Sequence, residues 1–186
     1  MKGNIFKEKY LLFRAQNKDT DAFSQVYDLY VERIYRFIYF KVGTQEDAQD
    51  LTSEVFLKTW QYITDGNKVK NLNALFYKIA RNLVIDYYRK ATQKTELSIE
   101  RDDLEQMQTV FDNVEKLEKK LQVESLAEKI RDLKDEYREV IILRFIEGMS
   151  INEMAQITEK KKGAVRITLF RALNALRSMI DEKTAK

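Results

Sequence analysis

The segment from residue 160 to residue 177 carries six basic residues and no acidic one, and its apolar residues recur at helical spacing. Lysine and arginine bind DNA phosphates, and arginine can also donate two hydrogen bonds to one guanine edge. If all six basic residues contacted phosphates, the log-log salt dependence of binding would have a slope of about −5. The alternative is a helical hairpin with a basic, solvated face. The candidate DNA contacts are Lys160, Lys161, Lys162, Ala164, Arg166, Ile167, Thr168 and Arg171.

A second, shorter helix is predicted just before this segment. Ser150 with Glu153 three residues later has the spacing of a capping box, in which the two residues satisfy free backbone amides at a helix start. Gly148 stands where a left-handed residue would end the preceding helix. Two short helices joined by a tight turn, with a basic second helix, are typical of a DNA-binding helix-turn-helix.

Another helix, predicted at residues 45–63, has a polar face of unusual composition. Asp47, Asp50, Glu54, Lys58 and Gln61 recur at intervals that place them on one side of the helix. Such a face can be a solvated surface. It can also be an acidic docking strip for a basic protein partner, and both interpretations stay open on the pattern alone.

A third polar surface lies on the helix predicted at residues 72–90. Lys78, Asn82, Asp86 and Arg89 share one side, and Arg81 lies beside them. Asparagine and arginine can hydrogen-bond base edges with two bonds each, which favours contact with nucleic acid. A solvated helix face is the alternative, because Asp86 would repel phosphates.

The composition excludes several function classes. The chain has no cysteine and no histidine, so thiolate nucleophiles, zinc–thiolate sites and histidine bases are ruled out. No carboxylate cluster on an apolar background marks an acid–base site. We therefore expect no enzyme activity, no cofactor and no metal site. The sequence shows no membrane span and no signal peptide, which predicts a cytoplasmic protein.

The fold class is predicted as all-α, with two helical domains joined by an acidic flexible linker. The chain contains no proline, 5 glycines and no sustained alternation of apolar and polar residues. Residues 1–91 are expected to form a helical bundle, 92–124 the linker, and 125–186 a four-helix domain containing the helix-turn-helix. The first predicted helix spans about 5–16, and Asp19 or Asp21 is expected to cap the second, whose apolar positions run from Ala22 to Ile38. The other predicted helices span 45–63 and 72–90, then 126–133, 135–147, 151–158 and 162–180.

Four of these motifs together resemble the bacterial sigma factors of RNA polymerase, in the short extracytoplasmic-function (ECF) form. The motifs are QEDAQDLTSEVFLKTW (45–60), FYKIARNLVIDYYRK (76–90), YREVIILRFIEGMSINEMAQI (137–157) and the helix at 163–177. They occur in the family's order and at its spacing over nearly the whole chain. Their combination is more specific than any one of them.

The resemblance implies partners for each surface. Residues Asp47, Asp50, Ser53 and Glu54 would bind the clamp helices of the polymerase β′ subunit. The helix-turn-helix would read the −35 promoter element near the β flap. An anti-sigma factor is a further implied partner. The residues that would read the −10 element of promoter DNA, and hold a base flipped from it, are Asn67, Lys68, Lys70, Lys78, Arg81, Asn82, Asp86 and Arg89.

The chain departs from the family pattern at several of these positions. Glu159 occupies a turn position where the family favours glycine, and Thr168 replaces a common arginine. The shorter threonine should change the −35 preference. Two other functions stay open: a free-standing helix-turn-helix regulator that binds operators as a dimer, and an interaction protein that binds only other proteins.

Overall fold

The fold is known from a computed structural model, which describes residues 2–94 and 129–184. Within those ranges the regular structure is helical, as predicted, and no strand occurs. The N-terminal domain contains α1 (Lys2–Gln16), α2 (Thr20–Val42), α3 (Gln45–Thr64) and α4 (Leu72–Lys94). The C-terminal domain contains α5 (Asp135–Ile141), a π-helix (Ile142–Ile146), α6 (Ile151–Thr158) and α7 (Lys162–Thr184). None of the helices in the described ranges is both long and apolar enough to cross a membrane.

Side-chain caps begin α2, α3 and α6, at the starts that the sequence predicts. Asp19 caps α2 by accepting a hydrogen bond from the Ala22 amide at 3.0 Å, and Thr44 caps α3. The Ser150–Glu153 capping box at the start of α6 is confirmed in both directions. Gly148 adopts φ +68°, the left-handed conformation that favours glycine after a helix. Each of these signals acts within a few residues of the helix end that it defines.

Aromatic side chains fill the core of the N-terminal domain. Tyr30 stacks on Phe76 with ring centroids 4.7 Å apart, and Phe56 lies 4.9 Å from the same ring. Phe37 meets Tyr77 edge-on at 5.2 Å. These contacts join α2, α3 and α4, so the faces of α3 and α4 that point outward are held on a rigid bundle.

The helix predicted at 135–147 is not a uniform α-helix. After Ile141 it widens into the π-helix, and the Glu147 amide donates to the Ile142 carbonyl at 3.0 Å across five residues. Residues 139–143 are all buried, which shows that the segment is enclosed on several sides. π-Segments of this kind occur frequently at functional sites.

The two domains contact each other directly. Helix α4 packs against α6, and α2 packs against α5 and the π-helix. Helix α4 continues to Lys94, past residue 91, after which the linker was predicted to begin. The rest of the predicted linker and the first part of the helix predicted at 126–133 lie outside the described residues.

Candidate nucleic-acid and polymerase interfaces

Helix α7 presents the cations of the helix-turn-helix to solvent. Buried Val165 and Ala172 anchor one side of the helix to the C-terminal domain. Four cations lie on the exposed surface, and none of them makes an ion pair within the described residues. They are Lys161, Lys162, Arg166 and Arg171. Ala164 and Ile167 are also exposed, and Thr168 is half-buried.

The turn before α7 has a strained backbone, and one of its lysines is paired with a carboxylate. Glu159 adopts φ +56° in the left-handed region, which non-glycine residues rarely occupy. Glycine adopts this conformation without strain, which fits the glycine that the family pattern favours at this position. The neighbouring Lys160 lies 3.4 Å from Glu136 of α5, so it is less available to DNA than the lysines that follow it.

Exposed apolar side chains also lie on α7, among the basic residues. Ile167 is 54% exposed, Phe170 is 66% exposed and Leu173 is 40% exposed. Apolar groups on such a face can contact thymine methyl groups.

The loop between α3 and α4 borders an open cleft of about 520 Å³. Its walls include Tyr62, the exposed Lys68 and Lys70 from the loop, and Gln156 from α6 of the other domain. The Asn67 amide donates to the Tyr62 carbonyl at 3.0 Å, which closes the end of α3. The predicted lysines therefore line one cleft, whereas Asn67 helps to shape the loop.

Two of the predicted contacts on α4 are already bonded to the C-terminal domain. Arg81 Nε donates to Glu139 at 2.9 Å. Lys78 forms an ion pair with Glu159, and its hydrogen bond lowers the pKa of that carboxyl. The structure therefore joins the −10 and −35 candidate surfaces through acidic residues between them.

The rest of the α4 face carries its own internal pair. Asp86 and Arg89 lie 3.1 Å apart, one helical turn from each other. Asn82 is exposed between them and the bonded Arg81. The pairing offsets the charge of Asp86, so this carboxylate is a weaker obstacle to phosphates than its sequence position suggests.

A fully buried carboxylate lies at the centre of the domain contact. Glu147, whose side chain is 0% exposed, accepts a hydrogen bond from Arg36 Nε at 2.9 Å and lies 3.5 Å from Arg33 Nε. The Tyr77 hydroxyl donates to the same carboxylate at 2.5 Å. Burial, and next the negative charge of Glu147, raise the pKa of Tyr77, so the phenol keeps its proton and remains a donor. We call Arg33, Arg36 and Tyr77 the anion site.

Lys41 makes a second buried contact between the domains. Its Nζ lies 3.0 Å from Asp135 and 3.6 Å from Glu139, close enough for ion pairing although not in hydrogen-bond geometry. Neither Lys41 nor the anion site was predicted from the sequence. One signal was available: Lys41 continues the apolar side of α2 after Ile34, Phe37 and Ile38, and a lysine there needs a buried partner.

The acidic strip on α3 is only partly open. Asp50, Ser53 and Glu54 are exposed. Glu54 lies 3.3 Å from Lys58, and the Ser53 hydroxyl donates to the Gln49 carbonyl at 3.0 Å. Asp50 and Glu54 therefore remain the accessible carboxylates of the predicted docking strip.

Asp47 has partners inside its own domain. It accepts hydrogen bonds from the Tyr87 hydroxyl at 2.8 Å and from Thr44 Oγ1 at 2.5 Å. Burial, and next the hydrogen bond with Asp47, raise the pKa of Tyr87 to about 12. Asp47 thus ties the start of α3 to α4, whatever it also contacts outside the chain.

Comparison with known proteins places the two domains in one family of sequences. Residues 26–94 match the family Sigma-70 region 2, and residues 124–176 match Sigma-70, region 4. The chain is 31% identical over 173 residues to the ECF RNA polymerase sigma factor BldN of Streptomyces coelicolor, covering 92% of this chain and 65% of that protein. It is 30% identical over 176 residues to the ECF RNA polymerase sigma factor SigW of Bacillus subtilis, covering 91% and 94%.

Two solved structures share the fold. CnrH, solved with the cytosolic domain of CnrY, superposes with a TM-score of 0.73 at 21% identity, over 95% of this chain and 98% of that one. The sigma factor RpoE of Bartonella quintana, solved with the anti-sigma factor NepR, gives 0.68 at 22% identity, over 86% and 96%. At these identities the likeness concerns the fold alone.

Proposed function

The chain belongs to the ECF family of RNA polymerase sigma factors, and on that premise we propose that it binds core RNA polymerase and directs it to −35 and −10 promoter elements. The observation that carries the proposal is the pairing of an exposed basic helix, α7, with a region 2 domain in the same chain. A free-standing regulator needs a helix-turn-helix but has no use for region 2.

In this proposal α7 reads the −35 element in the major groove. Arg166 is the candidate for bidentate contact with guanine, and Lys161, Lys162 and Arg171 bind phosphates. The loop and the outer face of α4 bind the opened −10 element. The cleft beside Lys68 and Lys70 is large enough to take an unstacked base.

Strand opening draws on binding energy in this scheme. The sequence contains no glycine-rich phosphate loop for ATP. The chain then contributes recognition and strand capture, acts in the cytoplasm with the polymerase, and leaves the chemistry of transcription to the core enzyme. Because CnrH and the Bartonella RpoE were each solved with a second protein, we extend the proposal to an anti-sigma factor as a further partner.

Run-off transcription tests the whole proposal. Purified core polymerase is incubated with a genomic promoter library, with and without the full chain, and the transcripts are sequenced. We expect discrete start sites that depend on the chain. Transcripts that are identical with and without it would favour the free-standing regulator.

The docking strip is tested separately by Glu54→Lys. A basic partner would meet like charge at this position, so we expect the affinity for core polymerase to fall by at least about tenfold, or about 1.4 kcal/mol. Binding is measured by fluorescence anisotropy of the labelled chain.

Glu32→Lys is the matched control for that variant. It makes the same charge change at an exposed position of α2, on the side opposite the core. Far-UV circular dichroism monitors the fold, since Glu54→Lys also places like charge beside Lys58. Equal core affinity for the two variants would remove the strip from the interface.

A further inference from the structure

The anion site has donor chemistry that suits more than a carboxylate. Arg33 and Arg36 approach Glu147 from α2, and the Tyr77 hydroxyl approaches it from α4. Guanidinium groups bind carboxylates and phosphates with the same fork geometry. The arginine side chains are 35% and 42% exposed, whereas Glu147 is fully enclosed. The donors therefore remain close to solvent once Glu147 is removed.

The site adjoins the proposed −10 face. Tyr77 precedes Lys78 in α4, and Arg81 lies one helical turn further along. Lys78 and Arg81 are each bonded to a carboxylate of the C-terminal domain, Glu159 and Glu139. Three acidic side chains of one domain thus cover one cationic face of the other.

Removal of the C-terminal domain would leave this face without those anions. Five cations, namely Arg33, Arg36, Lys41, Lys78 and Arg81, would then lose the carboxylates that they contact in the structure. A face of that charge favours a polyanion in their place. A DNA strand supplies anions at regular spacing, and it is the polyanion that the proposed function brings to α4.

We propose that the anion site binds a backbone phosphate of the promoter strand and that Glu147 is its internal competitor. This inference rests on the proposed promoter-binding function of the N-terminal domain. The same three donors hold either Glu147 or the phosphate, so the two occupants exclude each other. Entry of the strand is then linked to departure of the C-terminal domain from α4.

The test uses the full chain without polymerase and a fluorescein-labelled single-stranded 20-mer of mixed sequence. In Glu147→Gln the competitor loses its charge, so we expect the 20-mer to bind at least about tenfold more tightly. One added phosphate contact should also make the log-log salt slope more negative by about 0.7. Asp132→Asn is the control, because it removes one negative charge from an exposed position of the same domain that makes no ion pair in the described residues.

A second readout follows the separation of the domains. The chain has no cysteine, so cysteines introduced at exposed Ser24 and Asn174 carry a spin-label pair for distance measurement. We expect Glu147→Gln to lengthen the distance. Arg36→Ala should lengthen it as well, because Glu147 loses a buried partner, but without the gain in DNA affinity, since the anion site is then damaged.

This contrast decides the proposal. The proposal is supported if Glu147→Gln binds the 20-mer more tightly and the double variant Glu147→Gln/Arg36→Ala binds it with the wild-type affinity. In Glu147→Gln, domain separation with no gain in DNA affinity, or no change in either readout, overturns it. Circular dichroism checks the fold, and Glu147→Ser replaces the amide variant if the latter melts below the assay temperature.

The outcome is separable from that of the proposed function. Chain-dependent start sites with the wild-type protein, together with unchanged DNA binding by Glu147→Gln, would reject the anion site alone. An absence of such start sites would reject the sigma-factor activity, whatever the 20-mer does.

Discussion

The two basic surfaces of this chain differ in what their cations already contact. On α7, Lys161, Lys162 and Arg166 are exposed and make no ion pair in the described part of the chain. On α4, Lys78 and Arg81 are bonded to carboxylates of the other domain. Under the proposed function α7 can therefore meet DNA directly, whereas the outer face of α4 would first exchange protein anions for phosphates. Two segments of similar positive charge can thus differ in how accessible their cations are to DNA.

The difference has an energetic basis. An exposed lysine keeps its hydration and needs no partner, so α7 is stable with its cations open to solvent. Arg81 is more enclosed and Glu139 is 3% exposed, so removal of either partner would leave a poorly hydrated charge. We expect binding at α7 to depend on direct contacts and binding at α4 to depend also on the domain contact.

The largest effect on this comparison is expected from Arg166→Ala. Loss of one bidentate base contact should weaken binding to a −35 duplex by about 1–3 kcal/mol, or about 5- to 150-fold. The −35 duplex for this measurement is first selected from a random-sequence DNA library by the complex of the chain with core polymerase. Arg166→Lys keeps the charge but not the fork, and should recover only part of the loss.

Binding of the single-stranded 20-mer should be unchanged in Arg166→Ala, since that residue lies on the other of the two proposed DNA surfaces. If the variant weakens both DNAs equally, the two surfaces do not act separately. If it weakens neither, α7 is not the −35-reading helix.

A smaller effect is expected from Lys162→Ala. One phosphate contact fewer should make the log-log salt slope for the −35 duplex less negative by about 0.9, with little change in sequence preference. The measurement is a salt titration of duplex binding. Lys7→Ala, at an exposed position of α1, should leave the slope unchanged. Equal slopes for both variants would mean that Lys162 makes no phosphate contact.

The smallest effect concerns the pair of Lys78 and Glu159. The hydrogen bond from Lys78 lowers the pKa of Glu159, so the pair supports the domain contact at neutral pH and is lost as the pH falls through that lowered pKa. In Lys78→Ala the pKa of Glu159 should rise towards its ordinary value. Carboxyl titration by NMR measures it, with Lys58→Ala as the control. An unchanged pKa would mean that Lys78 is as free as the cations of α7.

The helices were predictable because their signals are local. Asp19, Thr44 and Ser150 each cap a helix within three residues of themselves, and such patterns can be read along the chain. The exposed cations of α7 were predictable for the same reason. The spacing of its apolar residues also indicated an apolar side, which includes the buried Val165 and Ala172.

The contact between the domains could not be predicted in this way. Arg36 and Glu147 are 111 positions apart, and the residue pattern of neither segment predicts that the two side chains pair. The interruption of the helix after Ile141 was also missed, because its apolar residues fit an ordinary helix. A buried lysine at position 41 was the one readable sign that α2 meets an acidic neighbour.

The π-helix has a consequence for rotational phase. Each residue of an α-helix turns the chain by about 100°, so the wide turn at Ile142–Ile146 sets the azimuth at which Glu147 leaves the helix axis. If the same residues kept α-helical geometry instead, the one residue that the wide turn absorbs would swing the carboxylate away from α2 by roughly that angle. The wide turn thus points the carboxylate of Glu147 in the C-terminal domain at Arg33 and Arg36 of the N-terminal domain. No side-chain substitution could restore that direction.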